Sequence, residues 1–100
     1  MYYKKGSGRT MSYKSGFDIV AFRSRSHALR FSQILKDSGY PNHIISTPKE
    51  VSIGCGLSVK FSPSLTPYVI RLYNIYRYPI SGFYHIERLG NTNKVIRIPI

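Results

Sequence analysis

Phe17-Asp18-Ile19-Val20-Ala21-Phe22 is a short, mostly apolar run that suits a buried strand, and the residues after it change period at once. From His27 to Ser38 apolar residues recur at Ala28, Phe31 and Leu35, joined by Leu29 and Ile34, which is the spacing of a helix. Ser24 or Ser26 can cap that helix by accepting a backbone N–H that otherwise lacks a partner. Gly39 supplies a left-handed stop, and Pro41 follows it.

Downstream, Asn42 to Ser46 holds His43, Ile44 and Ile45 and reads as a second strand. Leu57-Ser58-Val59-Lys60-Phe61 alternates, which predicts a third strand with apolar residues inward and polar ones outward. Thr66 before Pro67 reads as an N-cap and first helical residue, because proline needs no N–H there. Val69, Leu72, Tyr73 and Tyr76 give that helix one apolar face as far as Arg77, and Pro79 stops it. Ile80 to Glu87 returns to strand character, with Phe83 and Ile86 as core candidates. Lys94 to Ile100 reads as an edge strand or a tail, since Pro99 cannot donate to a ladder.

Leaving that last segment aside, the order is strand, helix, strand, strand, helix, strand. Two helices over one face of a four-stranded antiparallel sheet bury both apolar surfaces, so the predicted fold is α+β, ferredoxin-like βαββαβ. The organisation expected is a flexible basic tail over 1–16, one domain over 17–87 and a basic extension over 88–100. No apolar run reaches the roughly 18 to 20 residues needed to cross a bilayer. The N-terminus has no hydrophobic region behind its basic residues. A cytoplasmic address without membrane contact is the expectation.

Lys and Arg number 15 against 4 Asp and Glu, a formal charge of +11. Lys4, Lys5, Arg9 and Lys14 crowd the first segment, and Arg88, Lys94 and Arg97 the last, with no acid in either. Such a field steers toward nucleic acid or an acidic protein without defining a site. His27, His43 and His85 have no metal-ligand spacing, and one cysteine excludes a disulfide framework within the chain and leaves a metal site without a second thiolate. No metal and no cofactor are expected.

That cysteine, Cys55, is the chemically interesting atom. Thr47-Pro48-Lys49-Glu50-Val51-Ser52-Ile53-Gly54-Cys55-Gly56 joins the second and third strands, whereas hairpin loops usually take about two to five residues. Gly54 and Gly56 remove bulk on either side of the thiol and permit backbone angles closed to other residues. Lys49 and Lys60 are the nearest cations, and positive charge favours the reactive thiolate. With no second cysteine to resolve a disulfide, the thiol suits a carrier or an exchange partner, an accessory protein rather than a stand-alone enzyme. A hydrolase needs a histidine beside the thiol; His43 is the nearest in sequence, and nothing in the sequence establishes a dyad.

Two stretches together resemble a known family. Ala21-Phe22-Arg23-Ser24-Arg25-Ser26-His27-Ala28-Leu29, and Thr47-Pro48-Lys49-Glu50-Val51-Ser52-Ile53-Gly54-Cys55-Gly56-Leu57, look like the small selenium/sulfur carrier-like proteins, otherwise a domain of unknown function. The resemblance runs from about Phe17 to Glu87. It implies a persulfide or selenide held on Cys55 and relayed between enzymes, with a cysteine desulfurase or another sulfur or selenium transfer protein as partner. The loop residues Thr47, Pro48, Lys49, Gly54 and Gly56 would support the thiol, and Ser24, Ser26 and His27, at the first helix's start, would offer hydrogen bonds to an anionic sulfur.

The competing class is a nucleic-acid binder, because this strand order is shared by RNA-recognition domains. Its aromatic platform is poor: the third strand offers only Phe61, and the first has phenylalanines only at its ends. Binding through the basic tails stays open, as does docking on an acidic partner with Cys55 incidental. Exposed edge strands allow a homodimer.

Overall fold

The computed structural model describes residues 16–51 and 56–100. The tail expected over 1–16 lies outside the described residues except for Gly16, and so do Gly54 and Cys55.

The chain runs β1 (Phe17–Phe22), α1 (Arg25–Asp37), β2 (His43–Ser46), β3 (Leu57–Phe61), a 3-10 turn (Pro63–Leu65), α2 (Thr66–Tyr76), β4 (Ile80–Leu89) and β5 (Thr92–Ile98). All strand pairs are antiparallel, in the order β2-β3-β1-β4-β5. β1 sits in the middle, which is why its sequence is apolar on both sides: Ile19, Val20 and Ala21 are each 0% exposed.

The fold is thus α+β with both helices on one face, but the described residues form a sheet of five strands where four were expected. Leu89 pairs with Thr92, so Gly90 and Asn91 make a two-residue hairpin turn, and β5 runs back along the whole outer half of β4. Val95 packs toward one face of the sheet and Ile98 toward the other. Pro99 lies just past the strand and never has to donate to the ladder.

Each face of the sheet carries its own cluster. On the helix side Val20, Phe22, Val59, Phe61 and Phe83 meet Ala28, Phe31 and Leu35 of α1 and Val69 of α2. On the other side Ile19, Ala21, Tyr84 and Ile86 meet Val51, which belongs to the long loop between β2 and β3. This second cover corrects the expected alternation of β3. Ser58 was read as facing outward, yet it is 0% exposed, and its hydroxyl is hydrogen-bonded to Thr47 Oγ1 at 2.7 Å.

The helix starts also differ from the sequence reading. Ser24 is the N-cap of α1 by backbone, yet its side chain makes no capping bond and instead meets Ser26 Oγ at 2.9 Å. Leu65, not Thr66, is the N-cap of α2, and Thr66 and Pro67 are its first two residues. The Thr66 hydroxyl is drawn away to the Asp18 carboxylate. The serine that accepts a backbone N–H is Ser62, one turn earlier, from Ser64 N. α2 ends at Tyr76, and Arg77 caps it in the left-handed region at φ 56, its N–H donating to Tyr73 O at 2.7 Å. Near the start of β4 the pairing slips between Ala21 and Phe22, and Gly82 follows. A Cβ at Gly82 would lie 3.0 Å from the Tyr84 hydroxyl, so a side chain there would have to push the ring aside. Among the described residues no helix is long and apolar enough to cross a membrane.

Candidate functional site

The long loop is tied down on both sides of its undescribed part. At its base Thr47 N–H donates to Gly56 O at 2.8 Å, one residue beyond the last strand pair, Ser46 with Leu57. The Thr47 side chain is held a second time, by the buried Ser58 hydroxyl. Past Pro48 the chain turns, with Val51 N–H donating to Pro48 O at 2.9 Å, and Val51 sinks to 6% exposure against the sheet. Lys49 and Glu50 are exposed at that turn. Burying a valine side chain contributes about 1.5 to 3 kcal/mol, enough to fix where this arm of the loop lies.

Gly56 re-enters the hairpin at φ +86, with nothing within 4 Å of the place a Cβ would occupy. The residue is required for its backbone angle and not for close packing. Of the expected support residues, Thr47, Pro48 and Gly56 form this frame, while Lys49 is exposed at the turn. Gly54 and Cys55 lie outside the described residues, directly before Gly56.

The register brings the start of α1 to the same end of the sheet. Ala21 pairs with Ser58 and Phe22 with Ile80, so β1 delivers Ser24, Ser26 and His27 at the end where Thr47 and Gly56 close the loop. They lie in the helix layer, whereas Val51 anchors the loop on the opposite face. Ser24 and Ser26 are bonded to each other, and His27 stacks on Tyr78 with ring centroids 5.0 Å apart. Its Nδ1 is enclosed and has no hydrogen-bond partner among the described residues. His43 goes the other way: it pairs with Lys60 at the far end of β2, which separates it from the cysteine loop by the length of the strand.

Sequence reasoning missed a polar cluster at that far end. Asp18 is 4% exposed, and its two oxygens take one bond each, from the Thr66 hydroxyl and from His85 Nδ1 at 2.6 Å. His85 Nε2 lies 3.5 Å from Glu87 Oε2. The cluster ties β1, β4 and the first turn of α2 together. A carboxylate inside an apolar strand was the available signal, since a buried charge needs partners. Those partners stand 48 and 67 residues away, beyond any local pattern. Among the described residues no three His, Cys, Asp or Glu side chains gather to hold a metal ion.

The same end has a cleft of about 500 Å³ lined by Phe17, His43, Lys60, Phe61, Ser62 and Leu65, among others. Lys60 Nζ sits 4.4 Å above the Phe17 ring. Of the aromatics weighed for a stacking platform on the sheet, Phe22 and Phe61 are instead buried beneath the helices, at 1% and 3% exposure, and Phe17 is half-buried under Lys60.

Searches of curated proteins and of solved structures each found no match. The family model described as "Putative Se/S carrier protein-like" matches residues 18–85, from the buried Asp18 to the His85 that binds it and across the whole of the cysteine loop. That span is well over half the chain, and the chain belongs to this Se/S carrier-like family.

Proposed function

We propose that the protein is a sulfur or selenium carrier that takes its cargo on Cys55 and hands it to a second protein. The observation that carries this reading is the bond from Thr47 N–H to Gly56 O, which closes the loop immediately beside the chain's one cysteine, inside the span matched by the family. The loop is clamped at its neck and anchored through Val51, so it leaves and rejoins the sheet at one fixed end, and Gly54 and Gly56 put no side chain on either side of the thiol in sequence. Lys49, exposed on the same loop, favours the anionic form that exchange requires. Lys60, expected as a second cation near the thiol, instead sits at the far end of β3 over the Phe17 ring.

The exchange needs no cofactor. The Cys55 thiolate attacks the outer sulfur of a donor persulfide, such as that of a cysteine desulfurase. A new S–S bond forms at Cys55 as the donor's S–S bond breaks, and the donor sulfur leaves as a thiolate with the bonding pair. An acceptor thiolate then attacks the outer sulfur on Cys55 in the same way and releases the Cys55 thiolate. Each step is redox-neutral. A selenium atom would move by the same pair of displacements.

Incubation with a desulfurase and radiolabelled cysteine tests this. Label should appear on the wild-type protein, be lost on reduction, and be absent from Cys55→Ser. Equal labelling of the serine variant would end the proposal.

A further inference from the structure

The end of the helix layer beside the cysteine loop carries three rings in a near-parallel stack. His27 and Tyr78 lie 5.0 Å apart at 21°, and Tyr78 and Tyr76 lie 6.1 Å apart at 15°. The stack is rooted in the core, because Tyr78 meets Phe31 edge-on at 6.4 Å and 85°. Its outer rung is open, with Tyr76 46% exposed. Ile75, at 66%, is exposed beside it.

Charge around the stack has one sign. The two segments that supply its rings, residues 23–30 and 71–80, contain Arg23, Arg25, Arg30, Arg71 and Arg77 and no acid. None of the five is paired with a described carboxylate. Arg77 lies 5.5 Å over the Tyr73 ring, and Arg23 donates to Ile80 O at 3.3 Å, which holds both guanidinium groups near the stack.

A partner that fits must offer flat faces to the rings and negative charge to the arginines at short intervals. Single-stranded nucleic acid does both, whereas a duplex keeps its base faces covered and an acidic peptide has none. We infer that Tyr76, Tyr78 and His27 with Arg77 and Arg23 form a binding surface for single-stranded nucleic acid, in which a base stacks on Tyr76 and the flanking phosphates meet the arginines. The surface lies on the helix layer, not on the sheet, and does not depend on Cys55 carrying sulfur.

Fluorescence anisotropy of the full chain with a labelled oligouridylate, across a series of salt concentrations, tests the inference. An abasic strand of equal length serves as the second probe and polyglutamate as a competitor. Base–aromatic stacking contributes about 1 to 3 kcal/mol, so Tyr76→Ala should weaken oligouridylate binding by about 5- to 150-fold and leave the abasic strand unaffected. Tyr76→Leu, which keeps apolar contact with Tyr78, should weaken it similarly. Arg77→Asn, which tolerates the left-handed backbone, should weaken both strands and flatten the salt dependence. Lys94→Ala on the distant β5 should change neither by more than a small factor. The inference is overturned if the oligouridylate does not bind, or binds the Tyr76 variants as it binds wild type. It is overturned equally if the abasic strand binds as tightly, or if polyglutamate displaces the oligouridylate at equal charge.

Discussion

A carboxylate at 4% exposure inside a strand persists only when its oxygens are hydrogen-bonded, and Asp18 meets that condition with residues from two other elements. Hydrogen bonds to a charged group contribute about 1.5 to 3 kcal/mol each. Asp18→Ala leaves the Thr66 hydroxyl and the His85 ring without their acceptor, and should lower unfolding stability by about 2 to 4 kcal/mol in urea titration. Thr66→Val should cost less, since Asp18 then keeps His85. At Gly56 the reasoning is different: space is free but the angle is not. Gly56→Ala should destabilise by about 1 to 2 kcal/mol although the new methyl touches nothing. A thermal melt equal to wild type would show that the backbone there relaxes out of the left-handed region. Gly56 was legible as a residue whose backbone matters. The task of Asp18 was not, because the run around it reads as plain apolar strand, and Thr66 looked like an ordinary cap.

β1 and β3 came out of the sequence with their bounds, whereas α1, read over His27 to Ser38, runs from Arg25 to Asp37. The two strands begin and end where the alternation and the apolar run say, and α1 buries Ala28, Phe31 and Leu35 as its spacing requires. What the local pattern could not carry was the second cover on the sheet. Nothing in Thr47 to Gly56 announces that Val51 lies on Ile19 and Tyr84, so Ser58 was assigned to solvent. Of the β4–β5 hairpin the sequence reading held only the last segment, as an edge strand or tail limited by Pro99, which in fact lies one residue beyond the strand's end; the Gly90-Asn91 turn went unread. Two consequences are measurable. Val51→Ala should loosen the loop, speeding hydrogen exchange at the Thr47 amide about tenfold or more, as expected for a loss of roughly 1.4 kcal/mol or above. Removal of residues 91–100 bares the β4 edge and strips Val95 and Ile98 from the two clusters, so the truncated chain should melt lower and aggregate on heating.

For the whole molecule, sheet and charge together set how it meets partners. Among the described residues the sheet's outer strands are β2 and β5, and β5 carries Lys94 and Arg97 with no acid. Pairing two copies along β5 would crowd like charges, so self-association through that edge should grow with salt in sedimentation experiments. Association that weakens with salt would point to another interface. The opposite ends of the sheet divide the labour. One end holds the buried Asp18 cluster, which braces the fold. The other gathers the neck of the cysteine loop and the start of α1, the place where exchange chemistry is proposed.

The central claim is that Cys55 passes a sulfur atom on. Mass spectrometry of the intact protein follows it directly, after reaction with a persulfide donor and again after an acceptor thiol is added. The account predicts a gain of one sulfur atom, located on the peptide containing Cys55, followed by its loss to the acceptor with the free thiol restored. A protein that gains no sulfur under conditions that load a small-molecule thiol, or that gains it and never releases it, would contradict the account.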